Sequence, residues 1–186
     1  MKNEYQCGKE FDRRMMRRAV EIARGARGLA SPNPMVGAVI VSPDGKIVGE
    51  GFTSAWGGPH AEVNAVNSVS DKSVLPECTI YVTLEPCSHQ GKTPPCAAML
   101  ARLGLRRCVV GTLDPFVKVA GRGIACMREA GIEVGTGVLE KECRDLNRRF
   151  IIAHTQGRVY VILKWAQSAD GFMAYADGSP ARLSDD

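Results

Sequence analysis

The sequence lacks any apolar run that approaches the ~18 to 20 residues a helix needs to cross a bilayer. Its first residues, Met1–Tyr5, do not show the basic region followed by an apolar stretch that is typical of a secretory signal. Seven cysteines are present, but they do not have the regular spacing of a disulfide framework. These absences predict a cytoplasmic protein with reduced thiols and no membrane partner.

Aromatic residues are also scarce, at 6% of 186 residues, although the net charge is +4 and the pI is near 8.7. Six arginines lie close together between Arg13 and Arg27, but no aromatic residue stands among them to stack on bases. A solvated helix face explains this cluster better than a stripe that binds nucleic acid. We therefore expect no nucleic-acid partner, and we find no internal repeat and no low-complexity segment.

The order of helix and strand patterns indicates an α/β protein. Apolar residues at helical spacing predict a first helix over Glu10–Arg27, and a long last helix is predicted over Leu139–Gln156. Between them, β-favouring runs predict five strands, at Met35–Val41, Lys46–Phe52, Cys78–Leu84, Arg107–Leu113 and Ile132–Val138. Two antiparallel strands followed by alternating helices and strands predict a mixed five-stranded sheet in a three-layer α-β-α arrangement.

A change of organisation at Gly157 divides the chain into residues 1–156, a complete domain, and residues 157–186. Val159–Lys164 has the composition of a buried strand, yet the residues after Gly157 are too few to bury a core. We interpret this section as the first strand of a truncated second domain. Its apolar residues would pack on a partner or on the first domain, which leaves a homo-oligomer open.

Residues Pro59–Cys96 concentrate the side chains of a hydrolytic metal site. His60, Cys87 and Cys96 would supply three ligands to Zn²⁺ and leave the fourth tetrahedral position to water, as in catalytic sites. Glu62 would take a proton from that water and pass it to a leaving nitrogen. His60 and Cys96 each stand where a helix is predicted to begin, so both helix starts would face the metal.

Two other interpretations of these residues stay open. His89 is the nearest candidate for a fourth protein ligand, which would close the tetrahedron and leave Glu62 idle in a structural, non-catalytic zinc module. A deaminase acting on a base in RNA would use similar ligands, but it would need a basic groove lined by aromatic residues. The position of Cys87 and Asp114 just after predicted parallel strands favours a functional site, because loops that carry function gather at that edge.

The motif His60-Ala61-Glu62 with a downstream Pro86-Cys87 and a further cysteine resembles the cytidine-deaminase-like zinc hydrolases. In zinc nucleobase deaminases two residues separate the cysteines, whereas eight separate Cys87 from Cys96 here. This longer loop, together with Ser31–Gly37 and Thr83–Cys87, is similar to the deaminase half of the bifunctional riboflavin-biosynthesis deaminase/reductase family. The resemblance covers essentially the whole chain and implies the cytidine-deaminase-like fold.

The same resemblance implies a reaction and a substrate. The amino group would be removed hydrolytically from 2,5-diamino-6-ribosylamino-4(3H)-pyrimidinone 5′-phosphate, with release of ammonia and with Glu62 as the proton carrier. Asn33 would hydrogen-bond the pyrimidine, although it could also only cap a turn, and Asp114 would contact the substrate. His89 and Lys92 lie beside Gly91, where the main chain can approach a phosphate, although His89 could also only brace the loop and Lys92 could be solvated.

Some positions depart from the family pattern. Phe116 stands where the family has an asparagine that helps to hold the ribose phosphate, which bears on substrate affinity. The section after Leu163 is similar to the opening of the family's NADPH-dependent reductase half, in which Ala166 matches a position that contacts the dinucleotide. Arg182 stands where a tryptophan is usual, and most of that half is absent. The resemblance therefore implies no NADPH-dependent activity for these residues alone.

Overall fold

A computed structural model of the chain describes residues 8–88, 94–115 and 120–183. These residues form six α-helices and five strands. The helices are α1 Lys9–Ala23, α2 Ala61–Ser68, α3 Cys96–Leu103, α4 Arg122–Glu129, α5 Glu140–Leu146 and α6 Arg148–Gln156. The strands are β1 Gly37–Val41, β2 Ile47–Phe52, β3 Thr79–Leu84, β4 Arg107–Thr112 and β5 Glu133–Thr136.

The strands form one sheet in the order β2-β1-β3-β4-β5. β1 pairs antiparallel with β2 and β3, whereas β3, β4 and β5 are mutually parallel. This confirms the predicted mixed five-stranded sheet. Because β3 and β4 run the same way, the residues that follow them emerge at one edge, and the segment that enters β1 reaches the same edge.

Helices cover both faces, which explains why every residue of β1 and β3 is buried. Side chains alternate between the faces. One face packs against α2, α3 and α4, through residues such as Ile40, Ile80, Val110, Leu100 and Met127. The other face packs against α1 and the α5 region, through residues such as Val39, Tyr81, Val109, Met16 and Cys143.

The position of α2 depends on two glycines of β2. A Cβ atom on Gly51 would lie 2.3 Å from the amide nitrogen of Ala65, and one on Gly49 would lie 2.5 Å from the carbonyl oxygen of Ala65. Both distances are too short for any side chain, so α2 rests main chain to main chain on this strand. The start of α2, where His60 and Glu62 lie, is therefore fixed against the sheet.

The long last helix predicted over Leu139–Gln156 is broken in two at Asn147. The side chain of Asn147 accepts a hydrogen bond from the Met35 amide at 2.8 Å and donates one to the Met35 carbonyl at 2.8 Å. Its φ of −114° and ψ of 26° leave the helical region. The prediction of one helix was wrong because this contact joins residues far apart in the sequence.

The sequence predicts that Val159–Lys164 is the first strand of a truncated second domain, and this stays a prediction. These residues form no strand, and Val159, Val161 and Leu163 are 76%, 65% and 78% exposed. A strand needs a hydrogen-bonding neighbour, and in the described part of the chain the sheet contains only β1 to β5. No helix among the described residues is long and apolar enough to cross a membrane.

Candidate active site

Three segments bring the predicted metal ligands together. His60 is the residue that precedes the first turn of α2, Cys87 follows β3, and Cys96 is the first residue of α3. The Nδ1 atom of His60 lies 3.7 Å from Cys87 Sγ and 3.4 Å from Cys96 Sγ. The ligand atoms of all three residues lie within 4.8 Å of one another.

These distances fit a tetrahedral zinc ion. With Zn–S bonds near 2.3 Å and Zn–N bonds near 2.1 Å, the S-to-N edge of a tetrahedron is about 3.6 Å long. The two measured edges, 3.7 and 3.4 Å, bracket that length. A histidine with two cysteines is also a donor set that suits zinc. The residues therefore fit zinc in both chemistry and geometry.

The N-terminus of α3 holds Cys87 in place. The amide of Cys96 donates to Cys87 Sγ at 3.3 Å, and the amide of Ala97 donates to the Cys87 carbonyl at 3.1 Å. Main-chain donors at a helix start stabilise a thiolate. The prediction that Cys96 lies in the first turn of a helix is confirmed, and the start of this helix also supports the second thiol ligand.

Hydrogen bonds among His60, Cys87 and Cys96 shift the pKa values of all three side chains. The pKa of Cys87 is lowered because its sulfur accepts hydrogen bonds, first from the Cys96 thiol and then from His60 and the Cys96 amide. The pKa of Cys96 is raised by that same hydrogen bond and by burial. The pKa of His60 is raised, mainly by its hydrogen bond with Cys87. Cys87 therefore loses its proton more readily than Cys96, and the resulting thiolate favours the binding of a cation.

Glu62 lies in the first turn of α2 and is 4% exposed. Burial raises the pKa of its carboxyl group to about 7, and the nearby Cys87 thiolate contributes to this rise, against smaller lowering effects that include His60. Cys96 also forms a hydrogen bond with this carboxyl group. A carboxyl group that titrates near neutral pH can both accept and release a proton, as a proton carrier must.

Within the described residues, the group of candidate ligands comprises only His60, Cys87 and Cys96. The described residues thus fill three of four tetrahedral positions, and a catalytic zinc site keeps the fourth for water. His89, the rival fourth ligand, lies outside the described residues, as does Lys92. Their predicted roles stay predictions, and so does that of Phe116.

Asp114 follows β4 as predicted, and it is 9% exposed at the sheet edge where Cys87 follows β3. Asn33 lies in the segment that enters β1 at this edge, where the Gly37 amide donates to Thr83 Oγ1 at 3.1 Å. Asn33 lines a cleft of about 1090 Å³ together with residues of α1 and α6, and the described lining of this cleft includes several arginines and none of the metal ligands. Contact of Asn33 or Asp114 with a substrate stays a prediction. Ala166 is exposed in the section after α6.

Glu85 stands before Pro86 at a strand end, a position from which support of the site is plausible, but the sequence did not show what it contacts. Its carboxylate is 3% exposed and accepts hydrogen bonds from the amides of Gly121 at 2.9 Å and Gly123 at 3.0 Å, at the start of α4. Gly123 is required there, because a Cβ atom would lie 2.1 Å from the Pro86 carbonyl oxygen. The only signal in the sequence was a carboxylate two residues before a metal ligand.

Comparison with known proteins agrees with this geometry. The sequence model of the "Cytidine and deoxycytidylate deaminase zinc-binding region" matches residues 9–112. The riboflavin biosynthesis protein RibD of Aquifex aeolicus is 47% identical over 171 residues, which are 92% of this chain and 47% of that protein. RibD of Escherichia coli is 44% identical over 167 residues, which are 90% of this chain and 45% of that protein.

Two solved structures are similar over almost the whole chain. RibD of Acinetobacter baumannii superposes with a TM-score of 0.88 at 40% identity, over 96% of this chain and 49% of that one. A diaminohydroxyphosphoribosylaminopyrimidine deaminase/5-amino-6-(5-phosphoribosylamino)uracil reductase of Thermotoga maritima gives 0.88 at 42% identity, over 95% and 50%. The chain spans about half the length of the curated relatives it matches. On the match of its zinc-binding region, which contains all three ligands, the chain belongs to the cytidine and deoxycytidylate deaminase family.

Proposed function

We propose that residues 1–156 form a zinc-dependent deaminase of riboflavin biosynthesis. Its substrate is 2,5-diamino-6-ribosylamino-4(3H)-pyrimidinone 5′-phosphate. Its products are 5-amino-6-ribosylamino-uracil 5′-phosphate and ammonia. The observation that carries the proposal is the meeting of His60, Cys87 and Cys96 beside the buried carboxyl group of Glu62. The name of the Thermotoga maritima protein, which is 42% identical, supports this substrate, and the names of the relatives from Aquifex aeolicus and Escherichia coli support the pathway.

Zinc held by the three ligands supplies a Lewis acid that lowers the pKa of water and so makes it a nucleophile near neutral pH. Glu62 accepts a proton from the attacking water on its carboxylate oxygen. It delivers that proton to the ring nitrogen beside the carbon under attack. A second proton, from the hydroxyl group added to that carbon, passes through Glu62 to the amino group, so that the C–N bond breaks and ammonia leaves.

The surroundings of Glu62 support this role. Ala61 and Ala65, on the same helix, are fully buried, so bulk water has little access to the carboxyl group from the side of the core. With its pKa raised to about 7, Glu62 exists in both protonation states near neutral pH.

The remaining site residues are assigned by the same proposal. Asn33 hydrogen-bonds the pyrimidine ring, Asp114 contacts the substrate, and His89 with Lys92 binds its phosphate. The substrate is a small phosphorylated molecule, and the enzyme works in the cytoplasm without nucleic acid or membrane as partner. Residues 157–186 begin a reductase domain that uses NADPH, in which Ala166 contacts the dinucleotide. The double length of the curated relatives supports this last assignment.

An ammonia-release assay tests the substrate. The protein is given the phosphorylated diaminopyrimidine, its dephosphorylated form, and dCMP in parallel, and the zinc content of each sample is measured. We expect about one zinc per chain, and kcat/KM highest for the phosphorylated diaminopyrimidine. A higher kcat/KM for dCMP, or equal values for the phosphorylated and dephosphorylated forms, would contradict the proposed substrate.

A further inference from the structure

The buried carboxylate of Glu85 joins two segments that the fold would otherwise leave separate. Oε1 accepts hydrogen bonds from the amides of Gly123 at 3.0 Å and Ile124 at 3.4 Å. Oε2 accepts from the amides of Gly121 at 2.9 Å and Asp114 at 3.3 Å. In the described part of the structure its partners are therefore main-chain donors at the start of α4 and at Asp114, which follows β4.

These contacts explain how α4 begins without a cap of its own. The first amides of a helix lack partners within the helix, and Gly121, the residue before α4, has no side chain to satisfy them. Glu85 supplies the missing acceptor from a neighbouring strand, and its negative charge lies at the positive end of the helix dipole. The same carboxylate also accepts a hydrogen bond from the amide of Asp114, so it binds both the start of α4 and the main chain at Asp114.

Glu85 is close to Cys87 in sequence, but none of its hydrogen bonds with the described residues involves His60, Cys87 or Cys96. Cys87, two residues later, is held instead by α3, through the amides of Cys96 and Ala97. The segment that Glu85 holds is the one that carries Asp114, which is buried at the functional edge of the sheet.

We infer that Glu85 is a positioning residue for the substrate: it fixes the main chain at Asp114 and at the start of α4, and so sets substrate affinity without holding the metal. This inference rests on the proposed function, because it takes Asp114 as a substrate contact. The two parts of the site then have separate supports: α3 holds Cys87 and Cys96, and Glu85 holds the main chain at Asp114.

The chemistry of the contacts selects the variants. All four partners are donors, so both oxygens of residue 85 must accept. Glu85→Gln keeps the shape but directs an NH₂ group at two N–H groups, which removes acceptors and adds repulsion. Glu85→Asp keeps both acceptors and the charge on a side chain that is shorter by one methylene. Glu77→Gln is the matched control, because Glu77 is exposed and lies outside the site.

The test measures four quantities on the zinc-loaded protein: amide hydrogen exchange, zinc affinity by chelator competition, kcat and KM. For Glu85→Gln we expect faster exchange at Asp114, Gly121, Gly123 and Ile124, and a KM raised about tenfold or more. Zinc affinity and kcat should stay within about threefold, Glu85→Asp should restore part of the KM, and Glu77→Gln should match the parent protein.

Two results would overturn the inference. One is weaker zinc binding by Glu85→Gln with KM unchanged, which would make Glu85 a support of the metal ligands. The other is faster exchange at the four amides with KM unchanged, which would mean that the main chain at Asp114 does not affect substrate affinity. If Glu85→Gln does not fold, Glu85→Asp must still raise KM with zinc affinity retained. Failure of the parent protein to release ammonia would contradict the proposed function instead, while the exchange data would still report whether Glu85 holds the four amides.

Discussion

At the scale of single residues, the buried carboxylate of Asp12 is stabilised by hydrogen bonds from two other side chains. Asp12 is buried under the sheet, and it accepts two hydrogen bonds from Arg107, both at 2.8 Å, and one from Tyr81 Oη at 2.8 Å. Burial, and then the hydrogen bond to Asp12, raises the pKa of Tyr81, so its hydroxyl stays a donor. The cluster ties α1 to β3 and β4 on the face away from the metal ligands.

Replacing Arg107 tests how much this cluster stabilises the fold. Arg107→Met keeps the apolar stem but leaves the Asp12 carboxylate buried without its charged partner, and we expect a loss of about 3 kcal/mol in the free energy of unfolding, measured in urea. Arg106→Met is the control, because Arg106 is exposed and forms no side-chain hydrogen bond with the described residues; its expected effect is under about 0.5 kcal/mol. Equal effects of the two changes would contradict the role of the Asp12–Arg107 pair.

At the scale of helices and strands, close contact between main chains positions the site. Gly51→Ala would place a Cβ atom 2.3 Å from the Ala65 amide, so α2 must shift and carry His60 with it. We expect a loss of stability of about 2 kcal/mol together with weaker zinc binding. Chelator competition and urea unfolding measure the two effects.

Gly135→Ala is the matched control for that change. A Cβ atom on Gly135 would lie 3.7 Å from its nearest described neighbour, Arg107 Nη2, which is an ordinary contact. This variant should keep the zinc affinity of the parent protein and lose little stability. If Gly51→Ala binds zinc as tightly as Gly135→Ala does, α2 does not depend on this contact to place its ligand.

The helices and strands also differ in how well they could be predicted from the sequence. β1 and β3 were found because runs such as Ala38–Val41 are apolar and β-branched, which is a local signal. The break at Asn147 was missed because its partner, Met35, is 112 residues away. Support of the site by Glu85 could be suspected from its place at a strand end, but its partners could not be predicted because they are main-chain amides. Val159–Lys164 has the composition of a strand, but a strand also depends on a neighbour, and the described sheet contains only β1 to β5.

Within the site, the metal ligands could be predicted because their chemistry is specific. A histidine and two cysteines near an acid, at this spacing, are typical of a zinc site and of little else, and the structure brings all three ligands together. Substrate contacts such as Asn33 are less specific, since an asparagine between prolines also suits a turn. Their assignment rests on resemblance, and it awaits measurement of substrate binding.

At the scale of the whole molecule, the chain divides into a packed three-layer unit and an exposed section. Val159, Val161, Leu163 and Trp165 are all at least 61% exposed, and none belongs to the sheet. Main chain that lacks regular hydrogen bonding and lies in solvent is the first to be cleaved by proteases. The arginines of α1 lie in regular helix instead, which protects them.

Limited trypsin digestion tests this division. We expect the first cleavages at Arg158 and Lys164, leaving a fragment close to residues 1–156 that keeps its zinc and its ammonia-releasing activity. The fragment is identified by mass spectrometry, and its zinc content is compared with that of the uncut chain. Early cleavage inside the sheet, or loss of zinc from the fragment, would contradict a domain boundary near Gly157.

The central claim is that a metal site with one free position works beside a carboxyl group that carries protons. The most direct test is Glu62→Gln, with zinc content and ammonia release measured on the same sample. The account predicts about one zinc per chain, as in the parent protein, with kcat lowered by about 10²- to 10⁴-fold. A Glu62→Gln protein that keeps its zinc and turns over substrate within about tenfold of the parent would contradict it.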